Sequence, residues 1–143
     1  MTNPNEKQVT DLGIAVDKLV RRFKIAETAG DDGPKLNPID LQTMFYVAEH
    51  PNCTAREVAQ HFRVAATTMS AVADRLVRHG LITRERVSSN RRIVSLSLSE
   101  EGRQRVDAAI QTQYEHCRAM LSALEPDERA GFLSAINKIA DSS

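Results

Sequence analysis

The apolar residues near the start of the chain recur at steps of three and four positions. Along this stretch they are Val9, Leu12, Val16, Leu19, Val20, Phe23 and Ala26. Such spacing predicts an amphipathic helix with one apolar face. The segment that follows, Ala29 to Lys35, contains two glycines, two aspartates and a proline, so we expect a loop there.

Boundary signals predict a second helix in the middle of the chain. Asn37 is a suitable N-cap, and Pro38 fits the first helical position. Asp40 lies in the first turn, where a negative charge interacts favourably with the helix dipole. The helix is expected to end at His50, because Pro51 cannot continue it.

A helix-turn-helix is predicted next. Thr54 and Glu57 have the spacing of a capping box and open a short third helix. After a short break, a fourth helix is expected from Ala66 to His79, ended by Gly80. The second helix of such a motif enters the major groove of DNA with its N-terminal end first.

A β-hairpin is predicted directly after the fourth helix. Its first strand is Leu81 to Val87, and a polar tip follows at residues 88–90. Residues 94–98 then alternate apolar and polar side chains, as in a half-buried strand. Beyond the hairpin, Ser99 caps a long fifth helix and Pro126 begins a sixth. The predicted fold is therefore mainly α-helical with a small β-wing, in the order of a winged helix-turn-helix.

Charge is unevenly distributed along a chain whose formal net charge is zero. Residues 54–98 contain eight arginines and three acidic residues, a net charge of +5, so the rest of the chain carries −5. A basic centre in an otherwise acidic chain indicates a polyanionic partner. Because all the basic residues of this segment are arginine, contacts with phosphates and the minor groove are favoured. The alternative to a site for a polyanion is an ordinary solvated surface with uneven charge.

Two groups of residues are candidate DNA contacts. The outer side of the fourth helix is small and hydroxylated at its start and basic at its end, which suits base edges, thymine methyl groups and phosphates. Its members are Ala66, Thr67, Thr68, Ser70, Ala71, Arg75 and Arg78. The candidates on the wing, whose arginines suit a narrow minor groove, are Arg84, Arg86, Asn90, Arg91 and Arg92. An ordinary surface helix and a charged, solubilising edge strand are the alternatives.

These segments resemble the MarR (multiple antibiotic resistance regulator) family of winged-helix repressors. The similarity covers almost the whole chain and is strongest over Thr54 to Ala59, Asp74 to Arg84, Ser88 to Arg92 and Leu96 to Gly102. It implies a homodimer held by the first, fifth and sixth helices, with recognition helices in successive major grooves and wing arginines in flanking minor grooves. Two residues depart from the family pattern: Asn90 replaces the acid of the wing, and Ala65 replaces the usual polar residue before the recognition helix.

The resemblance also implies how the chain is organised. We expect one domain over residues 1–143, with the winged lobe at about 37–98 and dimerisation helices at about 5–29 and 99–141. Many family members bind small amphipathic or aromatic effectors between these parts. The residues that fall at the corresponding cleft are Phe23, Phe45 and Tyr46. Packing in the core is the alternative role for these aromatic side chains.

The two cysteines, Cys53 and Cys117, form no CxxC pair, which fits a reducing cytosol. Cys53 lies just before the third helix, whose backbone amides are expected to lower the pKa of its thiol. Cys117 lies on the apolar stripe of the fifth helix and is expected to pack against other side chains. Redox sensing is the less favoured alternative for both residues.

The expected function is that of a cytoplasmic, sequence-specific transcriptional regulator, a repressor that a small effector releases from a pseudo-palindromic operator. A winged-helix protein-interaction module and a DNA-binding regulator without an effector are the alternatives. We recognise no catalytic arrangement, cofactor motif or metal-ligand spacing, and therefore expect no enzyme, cofactor or metal site. The chain has no long apolar run and no apolar signal core near its start, so neither membrane insertion nor export is expected.

Overall fold

The computed structural model describes residues 2–29 and 33–142. Within these ranges the chain forms six helices and three strands: α1 (Glu6–Ala29), α2 (Pro38–Glu49), β1 (Cys53–Thr54), α3 (Ala55–Phe62), α4 (Ala66–Arg78), β2 (Ile82–Val87), β3 (Asn90–Leu98), α5 (Glu100–Ser122) and α6 (Pro126–Asp141). The six predicted helices and the predicted hairpin are all present. The loop predicted before α2 lies partly outside the described residues, which omit 30–32.

The starts of α2 and α3 are set by the local signals that predict them. The side chain of Asn37 accepts a hydrogen bond from the N–H of Asp40 at 3.0 Å, and the N–H of Asn37 donates to the Asp40 carboxylate at 3.2 Å. Thr54 and Glu57 form the same reciprocal pair at the start of α3. Both capping boxes satisfy backbone donors that a helix end would otherwise leave without partners.

The sheet has the strand order β1-β3-β2, and both pairings are antiparallel. β2 and β3 form the predicted hairpin. β1 was not predicted: its two residues, Cys53 and Thr54, pair with Leu96 and Ser95 of β3. A strand of two residues is too short to show apolar and polar alternation, so no sequence pattern reveals it.

Residues 34–113 form one compact unit, which contains the predicted winged lobe. Apolar side chains from α2, α3, α4, the sheet and the start of α5 meet in a single core. The buried members are Met44, Val47, Cys53, Val58, Ala59, Met69, Val72, Leu76, Leu81, Ile82, Leu96 and Val106. The core therefore joins both helices of the helix-turn-helix to the base of the hairpin.

The start of α5 belongs to this same unit. The hydroxyl of Ser99 donates to the carbonyl of Gly80 at 2.6 Å and accepts the N–H of Gly102 at 3.0 Å, which confirms the predicted cap. A Cβ added to Gly102 would lie 2.0 Å from the carbonyl oxygen of Leu81, so only glycine allows this approach. The winged unit thus extends past the predicted boundary near residue 98, because α5 packs against the turn that ends α4.

Residues 1–33 and 114–143 form the second compact unit, with α1, the second half of α5 and α6. Eight large apolar side chains of α1 and α6 are between 44% and 68% exposed: Val9, Leu12, Ile14, Val16, Val20, Leu133, Ile136 and Ile139. Cys117 is exposed as well, so the expectation that it packs is wrong for the single chain. The unit leaves much of its apolar surface uncovered.

Across residues 2–29 and 33–142, we find no helix with the length and apolar character needed to cross a lipid bilayer.

Candidate nucleic-acid interface

A tight turn sets α4 against α3. Arg63 ends α3 in the left-handed conformation, with φ of 56°. The N–H of the next residue, Val64, donates to the carbonyl of Ala59 at 3.0 Å. Val58 of α3 and Met69 of α4 are then both buried in the shared core. A left-handed non-glycine residue is uncommon, and the packing on both sides of the turn holds it in place.

Helix α4 has one buried and one exposed face, as the sequence predicts. The buried side chains are Met69, Val72, Ala73 and Leu76. The exposed candidates for DNA contact are Ala66, Thr67, Thr68, Ser70, Ala71 and Arg78. The N-cap Ala65 makes no side-chain hydrogen bond, as expected for a methyl side chain. The first half of α4 therefore presents small and hydroxylated side chains to the solvent.

Arg75 is held by an acidic residue of another helix. Its Nε donates to Oδ2 of Asp40 at 3.2 Å, and its Nη2 donates to Oδ1 at 2.5 Å. The Asp40 side chain is 1% exposed and that of Arg75 is 32% exposed. The hydrogen bond to Asp40 raises the pKa of Arg75, so the guanidinium is charged at any physiological pH. Among the predicted contacts on α4, Arg75 is thus held by a buried carboxylate of its own lobe.

The sequence contains one further signal, which indicates this pair. Asp40, Thr43, Met44 and Val47 stand at steps of three and four positions, and all are buried. An acidic residue on the apolar face of a helix indicates a basic partner across the core. Which arginine is the partner depends on the packing of α2 against α4, which the sequence pattern does not specify.

A second ion pair ties α4 to the wing. Nη2 of Arg84 on β2 donates to Oδ1 of Asp74 on α4. The side chains are 38% and 62% exposed, so solvent screens the pair and its contribution to stability is about 0–1 kcal/mol. Its geometric effect is to hold an acidic group of α4 beside an arginine of the candidate interface.

Strand alternation places the wing arginines. On one face of β2, Ile82 is buried, whereas Arg84 and Arg86 are exposed further towards the tip. The register of β2 and β3 shifts between Arg86 and Val87, so Arg91 and Arg92 lie in an irregular stretch of β3, where both are exposed. This face of the hairpin is therefore apolar next to the core and basic towards the tip.

The tip of the wing is shaped by hydrogen bonds from two of its own side chains. Oδ1 of Asn90 accepts the backbone N–H of Arg92 at 3.1 Å. Nη1 of Arg86 donates to the backbone carbonyl of Arg91 at 2.6 Å. Asparagine commonly bonds to the backbone two residues ahead in turns. The amide of Asn90 thus supplies a hydrogen-bond acceptor at this position without adding a negative charge.

The three aromatic residues predicted to contact an effector lie in different units. Phe45 and Tyr46 of α2 are half-buried and pack against the core of residues 34–113. Tyr46 also stacks on His50, with ring centroids 4.1 Å apart. Phe23, in the other unit, stacks on His116 at 4.3 Å. Contacts within each unit involve all three side chains, and their role towards an effector stays a prediction.

Cys53 is buried in β1. Burial raises the pKa of its thiol, and the negative charge of Glu57 raises it further, while a backbone hydrogen bond lowers it by less. The expected lowering by helix amides is therefore wrong, because removal of the thiol from water outweighs the effect of the backbone. A neutral, buried thiol is poorly suited to react with oxidants.

Residues 35–93 match the sequence model of the MarR family. The chain is similar to the uncharacterised helix-turn-helix-type transcriptional regulator YwhA of Bacillus subtilis (strain 168), with 27% identity over 94 residues, 66% of this chain and 68% of that protein. It is also similar to the helix-turn-helix-type transcriptional repressor MdtR of the same strain, with 23% identity over 97 residues, 68% of this chain and 63% of that protein.

The same fold is found among solved structures. Streptococcus pneumoniae FabT, solved in complex with DNA, matches with a TM-score of 0.81 and 17% identity, over 95% of each chain. This likeness confirms the winged helix-turn-helix fold that the sequence predicts. Residues 35–93, which hold the helix-turn-helix and most of the wing, are thus the part of this chain that is similar to the MarR family.

Proposed function

We propose that this protein is a sequence-specific, DNA-binding transcriptional regulator. The observation that carries the proposal is that one lobe presents two complementary elements, the hydroxylated face of α4 and the arginine-rich tip of the β2–β3 hairpin. A helix of this composition suits the major groove, and exposed arginines suit the minor groove. The net charge of +5 over residues 54–98 supplies the general attraction to phosphates.

The names of the similar proteins support this assignment. MdtR is named a transcriptional repressor, and FabT is described in complex with DNA. We extend these properties to the present chain because its winged segment matches the MarR family model and its fold matches that of FabT. Such a regulator acts on the chromosome, so the cytoplasm is its proposed location.

The proposal includes a homodimer. The apolar stripes of α1 and α6 are exposed in the single chain, with Leu12 62% and Ile139 68% exposed. Contiguous apolar surface of this kind favours association with a second copy. A two-fold dimer reads a pseudo-palindromic operator whose half-sites lie ~10 base pairs apart, centre to centre.

Release by an effector is the part of the proposal that concerns regulation. Its ligand class is small amphipathic or aromatic molecules, and its predicted contacts are Phe23, Phe45 and Tyr46. A library of such molecules, added to the protein bound to its operator, should contain members that dissociate the complex. If none does so at millimolar concentration, the alternative of a regulator without an effector is favoured.

Selection of bound DNA from random-sequence duplexes tests the DNA-binding proposal directly. The full-length protein should enrich a site with two-fold symmetry. Binding to that site should weaken steeply with salt, with a log–log slope of about −5 to −9 if ~6–10 phosphates are neutralised. A slope near zero, or no enriched sequence, would overturn the proposal in favour of a protein-interaction module.

A further inference from the structure

Asp40 is a buried charged residue that the proposed function does not use. Its side chain is 1% exposed, yet its carboxylate is fully engaged. It accepts one hydrogen bond from the backbone of Asn37 and two from the guanidinium of Arg75. A buried carboxylate without such partners is strongly unfavourable, so the fold depends on Arg75 staying in place.

The contact with Asp40 fixes the orientation of the Arg75 guanidinium as well as its charge. Two parallel N–H···O bonds fit the planar guanidinium to the carboxylate and define the orientation of both groups. The Nε–Nη2 edge of the guanidinium faces Asp40, so Arg75 could bind a base or a phosphate through this edge only by leaving a carboxylate that is 1% exposed. Arg78, one turn further along the same helix, is exposed and has no such constraint.

The pair acts on the helix that carries the base-reading face. Arg75 of α4 is bound to Asp40 of α2, and its neighbour Asp74 is bound to Arg84 of β2. Two adjacent residues thus brace α4 towards two different elements. Thr67 and Ser70 lie on the exposed side of the braced helix, within its first two turns.

We infer that Arg75 is a positioning residue and not a DNA contact: together with Asp40 it fixes α4 on α2 and so determines where Thr67 and Ser70 meet the bases. The inference rests on the proposed function. It assigns the specificity of the lobe partly to a pair that touches no DNA. Base readout needs side chains held in exact register with the groove, whereas attraction to phosphates tolerates small shifts.

Three full-length variants test this, each on the selected operator and on a scrambled duplex: Asp40→Asn, Arg75→Gln and the double variant. The double variant keeps the net charge of the wild type, so a change in its affinity does not come from charge. Arg78→Gln is the matched comparison, since it removes the same charge from the same helix at an exposed predicted DNA contact and should weaken binding to both duplexes alike. Thermal unfolding of every variant identifies a temperature at which all are folded.

For a positioning pair, each single variant loses about tenfold or more in affinity for the operator, while affinity for the scrambled duplex changes less than about threefold. The double variant is no worse than the weaker single variant, because the two residues act as one unit. The salt slope of Arg75→Gln stays at the wild-type value. A purely structural role would leave the ratio of the two affinities unchanged in folded protein.

Two results would overturn this inference and leave the proposed function standing. One is a salt slope that falls by about 2 per dimer in Arg75→Gln, as in a residue that contacts phosphate, with Asp40→Asn binding as well as the wild type or better. The other is wild-type preference for the operator in all three variants. If the wild-type protein itself prefers no duplex over a scrambled one, the proposed function fails, and the inference fails with it.

Discussion

The side-chain oxygen of Asn90 and the backbone N–H of Arg92 are joined by a 3.1 Å hydrogen bond across the tip of the wing. This bond fixes the backbone at the point where the arginines of the hairpin come together. Four arginines repel one another in the absence of an anion, and the Asn90 amide orders the turn without neutralising any of them. Asn90 therefore shapes the tip of the wing before DNA arrives and adds no negative charge to it.

Arg92→Ala tests whether the wing reads the minor groove. We expect specific binding to weaken by about 1–3 kcal/mol, with most of the lost discrimination at A·T-rich flanks of the site. Affinities on the selected operator and on a duplex with scrambled flanks measure both effects. Arg103→Ala, which removes an exposed arginine outside the wing, is the charge control. If Arg92→Ala binds both duplexes as the wild type does, the wing does not contact DNA.

Asn90→Asp tests what the amide contributes to the wing. The carboxylate keeps the acceptor for the Arg92 N–H and adds a negative charge near the phosphates, so the two effects oppose each other. We expect a change of less than about tenfold in operator affinity, or ~1.4 kcal/mol. Asn90→Ala removes the acceptor altogether and should weaken binding more than Asn90→Asp does. The reverse order would show that charge at this position matters more than the shape of the turn.

Gly102→Ala should destabilise the winged unit by about 3 kcal/mol. The added methyl group would lie 2.0 Å from the Leu81 carbonyl oxygen, a backbone atom that cannot move aside without shifting the turn after α4. Chemical denaturation of both proteins measures the difference. Gly131→Ala is the matched control, because that helical position has no atom within 4 Å of the new methyl group. It should stabilise α6 by up to about 1 kcal/mol. Equal effects of the two substitutions would contradict the close packing of α5.

The Cys53 thiol should resist alkylation in the folded protein. In the Cys117→Ser variant it is the only thiol, and iodoacetamide at pH 8 should modify it quickly in urea and slowly without urea. Because folding raises the pKa of Cys53 above its ordinary value of 9.0, the neutral thiol favours the folded state below that pH. This contribution is lost as the pH rises through the higher pKa of the folded state. Rapid alkylation of the native variant at pH 8 would show that the thiol is accessible.

The protein should sediment as a dimer at micromolar concentration. Leu12→Glu places a charge on the exposed apolar stripe of α1 and should shift the population towards monomer. Lys18→Glu, on the opposite side of the same helix, adds a glutamate without touching the stripe and should leave the dimer intact. A wild-type protein that sediments as a stable monomer would remove the support for a symmetric operator.

Local signals in the sequence predict most of the winged fold. The capping boxes at Asn37 and Thr54 and the polar tip of the hairpin depend on residues within a few positions of one another, which a linear pattern shows directly. The exposed positions of α4 follow from periodicity in the same way. What the pattern does not show depends on pairing over long distances. Asp40 and Arg75 are 35 positions apart, and their contact exists only because α2 packs against α4.

Burial explains the two other differences between expectation and structure, which concern Cys53 and Cys117. The position of Cys53 before a helix favours a lowered pKa, yet strand β1 takes the thiol into the core, and desolvation decides the direction. Cys117 stands on a stripe that looks like the packed face of a helix, yet the single chain leaves it exposed. A periodic stripe identifies the side of a helix that avoids water. It does not identify whether the same chain or another one covers it.

Thr54 takes part in two secondary-structure elements. Its side chain caps α3, and its backbone pairs with Ser95 as half of strand β1. The first helix of the helix-turn-helix and the strand that carries Arg91 and Arg92 are thereby joined through a single residue. An inserted or deleted residue next to it would shift the cap and the strand register together. Length changes near residue 54 should therefore be rejected during evolution even where changes of residue type are accepted.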